Sequence, residues 1–447
     1  MNKFGLSFLF ACFLLLPTAA QEGYSLQDCL RYARSHSRIN KVQELTLKNN
    51  KLSRSQAMAQ FLPYVSAGTG GSLSFGRGVD PETNTYTTNK YLSNSYSASL
   101  SMPIFEGLVN VNNVRMMNAI VKREKENVKI QENKVSMAVI NAFYSCLYYQ
   151  KTVAQTQVQL QGDEETLRST RIEEEQGTKA GVDVAQTEAN VASDRFTLIQ
   201  QQNLYDAALL DLKNNMSFPI DSTLAIEENL DEVLPVMPLD EESARDIYSR
   251  ASFYLPEALA ASYSLKSTKY ELYKANGQYA PSISFSAGIS TSYFVNLDNR
   301  DAYDTFNKQF NDNIGKYISV NMSIPIFTRF SRIISHKQAK VNYIAQQYTY
   351  AQTMDDLEKD VIQAVMDVEG SVKEYEAAVK KVDAVTLAHR ANERKFQMGA
   401  LSALDYYTSL SQLARSQAQC IGKKVQYLIK KMQLDYYKGE PFIKELP

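Results

Sequence analysis

Two runs of this chain leave little choice of fold. Residues 107–175 contain no proline and only Gly107 and Gly162, and residues 329–398 contain no proline and only Gly370. Both are rich in Ala, Gln, Glu, Lys, Val and Leu, which keep helix formation cheap. At about 1.5 Å per residue they predict helices of roughly 100 Å, against the ~11–12 residues of an ordinary globular helix. Shorter helical text flanks each run. Residues 26–61 are expected to form one helix, started by a capping box at Ser25 and Asp28. Residues 180–214 are expected to form another. Stacked end to end, the two match the long helix and can run antiparallel to it as a two-rod coiled coil.

The chain also repeats itself. "SMPIF" at 101–105 returns as "SIPIF" at 323–327, and Gly177 and Asp183 return as Gly399 and Asp405, all at an offset of 222. Upstream, Pro63 returns as Pro281 at an offset of 218. This spacing predicts a duplication, 21–216 and 240–440, with a linker at 217–239 and a tail at 441–447. In front lies a signal peptide, 1–20: Lys3, an apolar run from Phe8 to Leu16, then small residues before a cleavage site after Ala20. That run is shorter than the ~20 residues a membrane helix needs. Cys12 is followed by further apolar residues, so lipidation is not expected.

Each half carries two stretches that alternate with period two. In 91–104, Leu92, Tyr96, Ala98, Leu100, Met102 and Ile104 share a face opposite Ser93, Ser95, Ser97, Ser99 and Ser101. In 282–293, Ile283, Phe285, Ala287 and Ile289 oppose Ser282, Ser284, Ser286 and Ser290, and 317–326 and 64–75 follow suit. A soluble sheet with one wet face alternates in the same way. A polar face almost free of charge and strands near the ~9–11 residues of a membrane crossing favour a membrane barrel. Polar connections at 76–90 and 294–314 suit external loops. Four strands cannot close in lipid, where the smallest barrels have about eight and open edges strand backbone groups, so several chains must pool theirs.

Chemistry is hard to find. Cys29, Cys146 and Cys420 are odd in number and far apart, which suits small buried side chains better than a disulfide framework. His36, His336 and His389 have no ligand-like neighbours, and no nucleophile, phosphate-loop or zinc motif occurs. The expectation is no enzyme and no cofactor. A formal charge of −1 offers nothing to nucleic acid.

Signal peptide, duplicated strand–long helix–strand plan, "SMPIF"/"SIPIF" and Gly-x5-Asp together resemble the TolC family of outer-membrane efflux proteins over essentially the whole mature chain. The resemblance implies an α+β fold: a homotrimer with a shared twelve-stranded transmembrane β-barrel, four strands per chain, continued by an α-helical coiled-coil tunnel through the periplasm. It implies an exit duct in the outer membrane for a tripartite efflux pump or a type I secretion system. Its partners are then outer-membrane lipid, a periplasmic adaptor and an inner-membrane transporter. Carried over by position, Asp183 and Asp405 fall at the tip constriction. Phe396 and Leu401 stand where the best-known member has a Tyr and an Arg that latch the tip, so apolar packing is expected to close it here. Gly177-Thr178 and Gly399-Ala400 fall at the adaptor-contacting turns. Pro103, Phe105, Pro325 and Phe327 mark the barrel-to-tunnel junction. Phe105, Phe327, Phe330, Tyr64 and Tyr317 form either an interfacial aromatic belt or plain packing. Each aspartate has a second reading, as N-cap of the returning helix. A non-conducting periplasmic coiled-coil scaffold is the alternative for the whole chain.

Overall fold

The computed structural model describes residues 23–79, 84–227 and 242–443. The expected signal peptide, the core of the linker and the last four residues lie outside them. The first half runs α1 (Leu26–His36), α2 (Arg38–Ala59), β1 (Tyr64–Val79), β2 (Tyr86–Glu106), α3 (Val109–Glu175) and α4 (Gly181–Met216). The second runs α5 (Ala244–Tyr254), α6 (Pro256–Gly277), β3 (Ser282–Asn296), a short helix α7 (Phe306–Asp312), β4 (Gly315–Ser323), α8 (Ser331–Gln397) and α9 (Ala403–Lys438). Setting α7 aside, the helix lengths of the first half, 11, 22, 67 and 36 residues, recur unchanged in the second. The duplication is therefore structural as well as textual. Its offset is 218 before the strands and 222 after them, so the four extra residues fall within the second strand pair and its connection.

One expectation is corrected at the first helix. Residues 26–61 form two helices, not one, broken at Ser37, which is buried and extended with ψ 121°. Its hydroxyl accepts from the Asn40 N–H at 3.4 Å and so starts α2. The second half breaks at the equivalent Leu255, where ψ is 136° and Pro256 opens α6. A proline forces its predecessor out of the helical region; in the first half a serine does the same work by capping, a quieter signal. The Ser25/Asp28 capping box forms as expected.

The four strands make one antiparallel sheet in the order β1-β2-β3-β4. A second correction concerns their length. The ladder of β1 and β2 continues to Val79↔Tyr86, so the expected loop at 76–90 is mostly strand. Gly76, Gly78 and Thr88 read as loop, but ladder hydrogen bonds are made by the backbone and tolerate small polar side chains. The connection after β3 is long, as expected, and folds into α7.

The chain divides into two compact units, one from the described residues of 1–41, 131–251 and 358–447, the other from 42–130 and 252–357. The first is all helix apart from a single bridge, Tyr24↔Ile226. Its core is built from Leu30, Val139, Ile140, Phe143, Leu147 and Leu212, with Ile247, Tyr427 and Leu434, each no more than 1 % exposed. The second holds the sheet and the helix segments next to it. No helix among the described residues is long and apolar enough to cross a membrane.

Candidate channel wall and helix-reversal site

Register decides what each sheet face presents. Val65, Leu100, Ala287 and Ile318 form one row across all four strands, and Met102, Phe285 and Val320 form the next. On the other side of the first row lie Ala67, Ala98 and Ile289, with Lys316 as the fourth member. The other face carries Ser66, Ser99, Gly288 and Tyr317, then Gly68, Ser97, Ser290 and Gly315. Serines bond across strands there: Ser66–Ser99 at 3.1 Å, Ser72–Ser93 at 2.7 Å and Ser286–Ser319 at 2.8 Å. From the row that ends in Lys316 to that of Met322 the face spans six steps of about 3.4 Å, and Ile324 and Ile326, just past the strand, are exposed as well. A band near 25 Å is what a membrane barrel turns to lipid. Ile318 is 77 % exposed and Val320 63 %, an apolar surface too continuous for a lone soluble chain. Both outer strands, β1 and β4, have an edge without a partner strand among the described residues.

The repeated phrase does not sit at equivalent strand ends. Pro103 lies inside β2, opposite Ser284, and a bulge follows, so that Phe105 rather than Ile104 pairs with Ile283. The bulge turns Phe105 onto the apolar side. β4 instead stops at Ser323, two residues before Pro325, as a residue that cannot donate to the ladder would dictate. Phe327 lies beyond the strand, edge-on to Phe330 at 5.5 Å. The proposed belt is corrected in part: Tyr64 and Tyr317 fall in register with Ser101 and Gly288, on the serine face. Tyr317 lies over Gly288, where an added Cβ would meet its ring at 2.6 Å. Just before the long helices, Gly107-Leu108 and Arg329-Phe330 adopt positive φ as matched pairs, 63°/64° and 50°/60°.

In the helical unit, both long helices end in one motif. Gly177 has φ 74°, its N–H reaches the Glu174 carbonyl at 2.8 Å, and the Thr178 N–H reaches Glu173 at 2.9 Å. Gly399 has φ 70°, with its N–H on Phe396 and the Ala400 N–H on Lys395. This is the Schellman stop, which needs a residue free to be left-handed. Asp183 and Asp405 then occupy the third position of α4 and α9, not the N-cap. The Asp183 carboxylate accepts from the Ala180 N–H at 3.3 Å, and that of Asp405 from the Ser402 hydroxyl at 2.7 Å. Both stay outside the core, Asp405 exposed and Asp183 partly so, at the end of the helix that favours negative charge.

Phe396 is half-buried and stacks on Tyr406, centroids 4.5 Å apart and planes at 10°. Over its ring, at 5.1 Å, sits the Lys179 ammonium, which also pairs with Glu173 at 2.8 Å. Lys179 belongs to the first reversal turn and Phe396 to the second, so one cation–π contact ties the two repeats together. Sequence reasoning found Phe396 but not Lys179; a cation directly between Thr178 and the helix start was the available signal. Leu401 is half-buried beside Ser402, the N-cap of α9.

Sequence reasoning also missed a carboxylate pair. Asp163 of α3 is 3 % exposed and hydrogen-bonds Asp194 of α4, whose oxygens accept from Gln159 at 3.2 and 3.3 Å. Burial first, then the bond to Asp194 and its charge, push the Asp163 carboxyl up to about 8. Close by, burial pushes the Tyr407 phenol up to about 12. Between pH ~4 and ~8 the unfolded chain has lost the Asp163 proton that the folded chain keeps, so stability falls as pH rises through that window. Asp163→Asn is expected to flatten this dependence. Its gain in thermal unfolding temperature, followed by circular dichroism, should be larger at pH 8 than at pH 5. An equal shift at both would remove the shared proton.

A family model described as outer membrane efflux protein matches residues 40–216 and 254–440, once in each half. The probable efflux pump outer membrane protein TtgC of Pseudomonas putida is 23 % identical over 430 residues, covering 93 % of this chain and 84 % of that one. Among solved structures, the outer membrane protein VceC of Vibrio cholerae superposes with a TM-score of 0.75 at 15 % identity, over 93 % of this chain and 96 % of that one. The open state of the MtrE outer membrane channel of Neisseria gonorrhoeae gives 0.74 at 18 %, over 94 % and 89 %.

Proposed function

The chain belongs to the outer membrane efflux protein family, transport proteins rather than enzymes, and from that premise we propose how it forms an exit duct. Three copies join their sheets edge to edge, β4 of one beside β1 of the next, into a twelve-stranded wall. The apolar face meets lipid and the serine face lines the lumen. The long helices leave the wall on the strand-end side at Glu106 and Ser323 and carry the duct through the periplasm. The observation that carries this reading is the register: apolar rows on one face, serine and glycine on the other, and an open edge at each side. Such edges in lipid require partners.

The reversal turns then form the periplasmic end. Gly177, Thr178, Gly399 and Ala400 face a periplasmic adaptor, through which an inner-membrane transporter delivers cargo, and Asp183 and Asp405 ring the opening. The resting end is held by Lys179 on Phe396, stacked on Tyr406, with Leu401 beside it. A cation–π contact contributes ~0.5–2 kcal/mol and ring stacking ~0.5–1.5 kcal/mol, a modest latch that an adaptor can release. The efflux arm is favoured over type I secretion because a relative that covers 93 % of this chain is named for an efflux pump. Lys179→Ala with Phe396→Ala is expected to raise channel conductance severalfold in planar bilayers without changing the oligomer's mass. Unchanged conductance would place the gate elsewhere.

A further inference from the structure

β4 is too short for the sheet it closes. Its pairing with β3 ends at Ser290↔Gly315, while β3 continues to Asn296. Three backbone groups on that edge are nevertheless bonded by α7 and its C-cap Asn313. The Gln309 amide accepts from the Phe294 N–H at 2.9 Å and donates to the Phe294 carbonyl at 2.9 Å; Asn313 donates to the Ser292 carbonyl at 2.8 Å. The Thr291 hydroxyl donates to the Phe310 carbonyl at 2.7 Å. A side-chain amide thus imitates the missing strand.

The helix also lays two rings on the sheet. Phe306 lies 5.3 Å from Tyr293 and 6.2 Å from Tyr96, and Phe310 lies 5.4 Å from Tyr96. Tyr96 and Tyr293 belong to the apolar face by register. Their level is telling. Below it, the rows run apolar from Ala98 and Ile289 down; at it and next above come Thr69, Thr291, Gly71 and Asn94, before one further apolar row, Leu73–Leu92–Val295. The cluster therefore stands where polar residues first interrupt the apolar band, on the side away from the long helices. Phe306 keeps 41 % of its surface open, and the amphipathic rings of Tyr96 and Tyr293, against which α7 packs, favour such a border.

We propose that α7 is a seal at the outer boundary of the membrane, standing in for the absent part of β4 and presenting Phe306 and Phe310 to the border of lipid headgroups and acyl chains. This rests on the lipid-facing reading of the apolar face above. The chain has no tryptophan, so Phe306→Trp or Phe310→Trp reports alone. Each variant, purified as the oligomer and placed in phosphatidylcholine vesicles, is read against phospholipid brominated near the headgroup and against aqueous iodide. The seal predicts that brominated lipid removes at least half of the emission and that iodide removes little. Ile318→Trp, inside the apolar band one row from that of Lys316 and so within reach of the same quencher, separates the two claims. Quenching of Ile318→Trp by brominated lipid, with both α7 variants quenched only by iodide, overturns the seal alone. If Ile318→Trp is also blind to brominated lipid, the reading of the wall falls and takes the seal with it.

Discussion

Gly107→Ala and Gly277→Ala should each deplete assembled protein from the outer membrane, although both are single-methyl changes. A Cβ on Gly107 would lie 2.1 Å from the Gly277 carbonyl oxygen and 2.7 Å from the Ala280 methyl; one on Gly277 would lie 2.3 Å from the Gly107 carbonyl oxygen. Two backbones touch here, and neither can yield as a side chain would. Gly107 also has φ 63°, so alanine adds ~1–3 kcal/mol of backbone strain to ~1–3 kcal/mol or more of overpacking. That sum approaches a typical domain's whole margin of ~5–15 kcal/mol. Gly162→Ala is the control: it lies inside α3 with open space around it, and alanine there is worth ~0.5–1 kcal/mol in favour of the helix. Quantifying oligomer in membrane fractions checks this. Equal amounts for Gly107→Ala and Gly162→Ala would contradict the close approach.

Leu100→Arg is expected to have the second-largest effect. Leu100 sits on the central strand β2 in the row Val65–Leu100–Ala287–Ile318. A charged side chain on the lipid face costs ~2–4 kcal/mol at the midplane and less toward the border; Leu100 lies one row inside that of Lys316, and each copy in the wall incurs the cost. Ser95→Arg, on the opposite face between Gly70 and Ser292, should assemble normally because a lumen keeps the guanidinium wet. Urea unfolding of both variants in detergent or lipid measures the difference. If Ser95→Arg were the more damaging, the faces would be assigned backwards.

Much of this was legible because the repeat made each signal count twice. The rods at 109–175 and 331–397 follow from runs without proline, and the reversal glycines follow from their spacing to Asp183 and Asp405. The wall's face assignment followed from serine alternation alone. What was not legible depended on neighbours distant in sequence. Ser37 breaks a helix by capping, which no local scan separates from an ordinary helical serine. Thr88 and Gly78 read as loop because only their pairing makes them strand. The latch of Lys179 on Phe396 joins residues from different repeats, and Asp163 meets Asp194 only once α4 folds back. The aspartates at the turns were expected as N-caps or as a ring; their observed place, third in each helix, leaves a carboxylate bonded to the cap yet still outside the core.

The central claim is that the serine face of the sheet lines a conducting lumen. It is tested most directly by single-channel recording on Ser97→Cys and Leu100→Cys, made in a background where Cys29, Cys146 and Cys420 are replaced by serine or alanine. A charged, water-soluble thiol reagent is added to each. The account predicts discrete channels from both, with conductance falling stepwise on modification of Ser97→Cys and unchanged for Leu100→Cys. Absence of channels in both, or a response from Leu100→Cys alone, would contradict it.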